Sequence, residues 1–231
     1  MEQLLYRLRN ADGNARGTVL LYHGFGAQGD DLFSLADTLD PEHTWNILCP
    51  QAPVPLQFGS ETFGYAWFPD QPDELQAALS GTYFADLPAL DPPGLSRGAR
   101  GAIGLLSELD LDVTRLVAGG FSQGAMMAVE TALQTRVDAL LLFSGALIAE
   151  NRLRSSSKEL EGVPVFQCHG TADQILSFQQ GKSLSRSLEE AGARIDFRAF
   201  DGPHTIPAEA VTEARSFLYS SDSDSSAEPG L

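Results

Sequence analysis

Ser122 stands in the pentapeptide Gly120-Phe121-Ser122-Gln123-Gly124, and only two histidines, His169 and His204, follow it. A serine hydroxyl becomes an effective nucleophile when a histidine takes its proton and an acid fixes that histidine's tautomer. Glycines two residues either side of the serine permit a sharp turn between a strand and a closely packed helix. These residue types at this spacing point to acyl transfer through a covalent serine intermediate.

An acid and a histidine follow in the order this chemistry uses on a strand-turn-helix scaffold. Asp173 lies in Gly170-Thr171-Ala172-Asp173, just past an apolar run ending at Cys168, and His204 lies in Asp201-Gly202-Pro203-His204 after the next strand-like run. Both positions fall at strand C-termini, where loops build active sites. His169 is a rival base, but it precedes the acid and is expected to buttress the turn. Asp196 and Asp201 are rival acids, the first pointing out of an alternating strand and the second a turn residue. The tetrahedral intermediate also needs donors for its oxyanion. The N–H of Gln123 at a helix start and that of Phe25 in His23-Gly24-Phe25-Gly26 are the expected pair, with His23 orienting that loop.

The elements that must position these groups alternate along the chain. Apolar runs at Thr18 to Tyr22, Trp45 to Pro50, Arg115 to Gly120, Val137 to Gly145 and Val163 to Cys168 read as strands. Arg194 to Phe200 alternates polar and apolar residues, as an edge strand does. Helical patterns cover Leu32 to Leu39, Gly94 to Leu109, the stretch after Ser122, Phe178 to Ala191 and Pro207 to Leu218. Gly192 supplies a C-cap and Pro207 a first-turn proline. The pattern predicts an α/β fold, a mostly parallel central sheet with helices on both faces. One domain over residues 1–219 is expected, with a Ser/Asp-rich disordered tail at 220–231.

Composition narrows the partners. With 231 residues and a formal net charge of −16, the average surface repels nucleic-acid backbones and anionic membranes. No apolar stretch reaches bilayer-spanning length and the N-terminus has no signal-peptide pattern, so a cytoplasmic location is the default expectation. Cys49 and Cys168 end strand-like runs and read as two buried free thiols. Neither has ligand-like neighbours, so neither a zinc site nor any other cofactor is expected.

Taken together, His23-Gly24-Phe25-Gly26, Pro50-Gln51-Ala52-Pro53, Ala66-Trp67-Phe68, Gly119 to Gly124, and Gln167-Cys168-His169-Gly170 with Asp173 resemble the phospholipase/carboxylesterase family of α/β-hydrolases. That group includes bacterial carboxylesterases and acyl-protein thioesterases, and the resemblance runs from about Thr18 to Leu218. It implies metal-free hydrolysis of carboxylic esters or thioesters, with Ser122, Asp173 and His204 as triad and Phe25 and Gln123 donating to the oxyanion. The chain departs from the family pattern at Ala27 and Pro69, where aspartates are frequent, and at Ser177, where proline is. No catalytic group is lost, but the departures weaken assignment to the thioesterase branch.

Substrate selection is expected in a lid-like excursion over about residues 55–94, read as irregular apart from a short helix at Asp73 to Leu79. It concentrates Phe58, Phe63, Tyr65, Trp67, Phe68, Tyr83 and Phe84. Phe63, Trp67, Tyr83 and Phe84 are the candidate substrate contacts, Tyr83 and Phe84 as a lid. For Trp67 and Phe68 a core role is an equal alternative. The expectation is a serine carboxylesterase acting on a small ester, as a monomer or homodimer. An acyl thioesterase or lysophospholipase is the nearest alternative, and a non-catalytic binding protein on the same fold is the rival from another class.

Overall fold

The computed structural model describes residues 4–220. Strand β1 (Tyr6–Arg9) is followed by β2 (Thr18–Tyr22), a 3-10 turn at Leu32–Leu35, α1 (Ala36–Leu39) and β3 (Asn46–Pro50). A hairpin, β4 (Val54–Phe58) and β5 (Glu61–Ala66), leads to α2 (Pro72–Leu79), a 3-10 segment Thr82–Ala89 and α3 (Pro93–Glu108). The second half runs β6 (Leu116–Phe121), α4 (Gln123–Gln134), β7 (Ala139–Phe143), α5 (Glu150–Ser155), β8 (Pro164–Gly170), α6 (Phe178–Glu190), β9 (Arg194–Phe200) and α7 (Ala208–Ser220).

Seven strands form one sheet in the order β1-β3-β2-β6-β7-β8-β9. Only β1 is antiparallel to its neighbour; the other pairings are parallel. Alternate residues point to opposite faces, so the continuous apolar runs of the inner strands fill two cores. Leu20, Tyr22, Ala118, Leu140, Leu142 and Val165 meet α3, α4 and α6 on one face. Val19, Leu21, Ile47, Val117, Leu141 and Phe166 meet α1 and α7 on the other. This is the predicted mostly parallel sheet with helices on both sides.

The structure departs from the sequence reading at α5 and the 3-10 segment Thr82–Ala89, which have no counterpart in it, and at strands of two kinds. The segment read as irregular contains the β4–β5 hairpin, whose prolines and glycines concealed its alternation; Gly59 takes φ +62° at the turn. Strand β1 was not expected, because as an antiparallel edge it is half exposed and carries arginines at alternate positions. The tail reading falls outside the described residues, except for Ser220, which ends α7. Among the described residues no helix is long and apolar enough to cross a membrane.

Candidate active site

Ser122 occupies the turn between β6 and α4 with φ 56° and ψ −118°, a strained conformation for a residue with a side chain. Its N–H is held by the Phe143 carbonyl at 2.9 Å, and its own carbonyl starts α4 by accepting from Ala125 N at 3.0 Å. The flanking glycines are required by packing. A Cβ at Gly124 would lie 1.9 Å from the Tyr22 carbonyl oxygen, and one at Gly120 would lie 2.4 Å from Gly124. Strand and helix thus approach at a distance no larger residue allows.

Asp173 and His204 meet beyond the ends of β8 and β9. The Asp173 carboxylate is wholly buried; its Oδ2 lies 2.6 Å from His204 Nδ1, and its Oδ1 accepts the N–H groups of Ile175 and Leu176 at 2.9 Å each. A carboxylate only accepts, so the Nδ1 of His204 carries the proton and its Nε2 presents a lone pair. The His204 ring, 13% exposed, packs on Phe121 with centroids 4.7 Å apart, one residue before the serine. Among the described residues no hydrogen bond joins the Ser122 hydroxyl to His204, whose Nδ1 is bonded to Asp173. The His204 loop is fixed from beneath. Ala172 N–H donates to the Gly202 carbonyl, Ser144 Oγ donates to Thr205 O at 3.1 Å, and Gly170 leaves space that a Cβ would deny to Gly202 and Pro203.

The loop carrying Phe25 is built by three partners. His23 Nδ1–H donates to the Gly24 carbonyl at 2.8 Å while its Nε2 accepts the Ala52 N–H at 3.0 Å. Trp67 Nε1–H donates to the His23 carbonyl at 3.0 Å. Strand β5 then pairs with the loop, Gly26 N to Tyr65 O at 2.9 Å and Tyr65 N to Ala27 O at 3.0 Å. Gly64 permits this, since a Cβ there would sit 2.0 Å from the Gly26 oxygen. The hairpin therefore scaffolds the Phe25 loop and is more than a cover. Neither Phe25 N–H nor Gln123 N–H has a protein acceptor among the described residues, and the latter opens α4, where the helix dipole favours negative charge.

The four candidate substrate contacts separate. Trp67 is 0% exposed, wedged between Tyr22 and His23 at ring centroids of 5.1 and 5.4 Å, which favours the core role that the sequence left as an equal alternative to substrate contact. Its indole is spent on the His23 carbonyl, and Phe68 is equally buried. Tyr83 is largely buried against the core. Phe84 is half-buried, edge-on to both Tyr83 and Phe25 at 5.6 Å. Phe63, on β5, is 51% exposed.

Sequence reasoning missed three positioning groups: the Gln123 side chain, Ser144 and Gln180. Gln180 forms a capping box with Ser177 and donates from Nε2 to the Phe84 carbonyl at 3.1 Å. The S-x-x-Q spacing of Ser177 and Gln180 was a readable signal for the cap, though not for the reach to Phe84. Of the rival residues, Asp196 pairs with Arg198 on the exposed face of β9, and Asp201 is exposed. Cys49 and Cys168 are buried free cysteines, and burial pushes both thiols up to about 12, away from the reactive thiolate form. Among the described residues no cluster of three His, Cys, Asp or Glu side chains could hold a metal ion.

A parallel sheet with a serine at a strand-helix elbow and an acid and histidine on later strand ends defines an α/β hydrolase. Residues 100–222 match the family model described as phospholipase/carboxylesterase, and the chain belongs to that family. It is 24% identical over 229 residues to acyl-protein thioesterase 1 of Candida albicans, spanning 89% of this chain and 92% of that protein. Acyl-protein thioesterase 1 of Yarrowia lipolytica is 27% identical over 217 residues, spanning 87% and 90%. Among solved structures, esterase PE8 superposes with a TM-score of 0.73 at 27% identity, covering 94% of this chain and 99% of that one. Zea mays acyl-protein thioesterase 2 gives 0.75 at 23% identity over 94% and 98%, a likeness of fold. The chain is a hydrolase of the esterase and thioesterase class.

Proposed function

We propose that the chain is a serine carboxylesterase that hydrolyses small carboxylic esters through an acyl-enzyme. The observation that carries this reading is the 2.6 Å Asp173–His204 pair, with its imidazole packed at a tilt on the residue preceding the elbow serine. Ser122 attacks the carbonyl, His204 Nε2 takes the hydroxyl proton and returns it to the leaving alcohol, and Asp173 holds the imidazolium. The N–H groups of Phe25 and Gln123 face the developing oxyanion. Water, activated by the same histidine, then releases the acid.

Thioester hydrolysis is the second reading, favoured by the curated relatives named as acyl-protein thioesterases. One preparation assayed with p-nitrophenyl esters and with acyl thioesters separates the two. The serine mechanism is tested with a fluorophosphonate probe. Wild-type protein should label at Ser122 and Ser122→Ala should not, with activity lowered on the order of 10⁴-fold or more. An unlabelled wild-type protein, or an active Ser122→Ala, sinks the reading.

A further inference from the structure

Asp173 receives a second imidazole. His169 sits near the end of β8, its side chain entirely buried, with Nε2 2.8 Å from the Leu176 carbonyl and 3.2 Å from Asp173 Oδ2, the oxygen that also faces His204. Both neighbours of Nε2 are acceptors, so Nε2 carries the proton. Nδ1 is buried with no hydrogen-bond partner, so a second proton there would have no acceptor. Burial also holds this imidazole below the usual range, consistent with a neutral ring at pH near 7. The ionisable groups acting on it are Asp173 and His204. From α6, Phe178 lies edge-on at 6.2 Å, and Gly181 packs so closely that a Cβ would meet Nδ1 at 2.3 Å. The ring cannot swing away.

We propose that His169 is a positioning residue of the active site: its fixed Nε2–H orients the Asp173 carboxylate and draws off part of the charge that faces His204. It rests on the serine-hydrolase reading above. Three donors are hydrogen-bonded to Asp173, Ile175 N and Leu176 N on Oδ1 and His204 Nδ1 on Oδ2, and His169 Nε2, bonded to the Leu176 carbonyl, faces Oδ2 at 3.2 Å. This holds the carboxylate in one rotamer and sets Oδ2 between two imidazoles. Withdrawing the His169 donor leaves more negative charge opposite His204, which then holds its proton more strongly.

The test compares His169→Gln, whose amide nitrogen can reach the position of Nε2, with His169→Asn, whose amide nitrogen falls near Nδ1. His169→Asn should lower kcat about threefold to tenfold and move the acid limb of the kcat/KM profile up by about half to one pH unit. His169→Gln should restore both. Equal profiles in the two variants and wild type, or equal shifts in both variants, overturn the proposal. Nitrogen-resolved NMR of the wild-type protein gives a readout independent of either variant's folding. It should show the neutral Nε2–H tautomer of His169 at about pH 7, and the Nδ1–H tautomer would overturn the assignment. Wild-type protein that the fluorophosphonate leaves unlabelled at Ser122 sinks the esterase reading instead, so the two failures are distinct.

Discussion

Gln123 and Trp67 are joined side chain to main chain. Gln123 Oε1 accepts the Trp67 N–H at 2.9 Å, and its Nε2 donates to the neighbouring Phe68 carbonyl at 2.5 Å. One residue thus places its own N–H at the head of α4 and pins the segment that continues from β5, the strand backing the Phe25 loop. Both proposed oxyanion donors are tied to one buried amide.

Removing that amide should be costly. Gln123→Ala leaves two buried main-chain groups unpaired and is expected to destabilise the fold by about 2–4 kcal/mol. Gln123→Glu should be no milder, because a carboxylate cannot donate to Phe68 O and would be desolvated. Urea unfolding of both variants checks this; a loss below about 1 kcal/mol in each would contradict it.

Asp173→Asn tests the acid more severely than its similar shape suggests. Every group facing the carboxylate is a donor, so an amide NH₂ must point at one of them. If it faces His204, the imidazole is driven to the wrong tautomer. We expect kcat to fall by roughly 10³- to 10⁴-fold with little change in KM, measured with a chromogenic ester.

Acid should weaken the fold before ordinary carboxylates titrate. Burial lowers the affinity of His23 and His169 for protons below that of an ordinary histidine, about 6.5. The unfolded chain therefore binds more protons than the folded one as pH falls below that value. Their stabilisation is complete above it and is lost on descending through the lower folded-state values. Glu130, raised by burial, acts with the opposite sign, its contribution being lost as pH rises through the carboxylate range. Urea midpoints taken between about pH 7 and pH 5.5 should decline. His23→Gln, whose Oε1 can still accept the Ala52 N–H, should make that decline shallower; an unchanged slope would remove His23 from the account.

The sequence made the sheet and the order of the chemical residues legible because both have local signatures. The strand ranges Thr18–Tyr22 and Arg194–Phe200 were readable to the residue, one as a buried apolar run and the other as an alternating edge. The elbow glycines were readable because a close strand-helix approach has few alternatives. Trp67 was not, since an aromatic in a proline-rich stretch looks the same whether it lines a pocket or fills the space beside Tyr22 and His23. Nor were the long-range side-chain ties, Gln123 to Trp67 and Gln180 to Phe84, because the residues involved lie 56 and 96 positions apart. Ser177 reads as a departure from a family proline, although its S-x-x-Q spacing with Gln180 carries the cap signal. Its role is physical, as the N-cap of α6.

The last of these ties gives a prediction in which two roles of one side chain come apart. Gln180 Oε1 accepts the Ser177 N–H at 2.8 Å within the capping box, while Nε2 donates to the carbonyl of Phe84, whose ring packs on Phe25. Gln180→Ala removes both and should cost about 1 kcal/mol of stability through the cap. Gln180→Glu keeps the acceptor that the capping box uses, and a carboxylate is favoured in a first helical turn. It cannot donate to Phe84, so the Phe84 segment loses its hold on α6 while the helix keeps its start. Gln180→Glu should therefore match wild type in urea unfolding yet raise KM for apolar esters by about threefold to tenfold, with kcat nearly unchanged. If KM is unmoved in both variants, the contact between Phe84 and α6 has no part in holding substrate, and selection must be sought at Phe63 on β5.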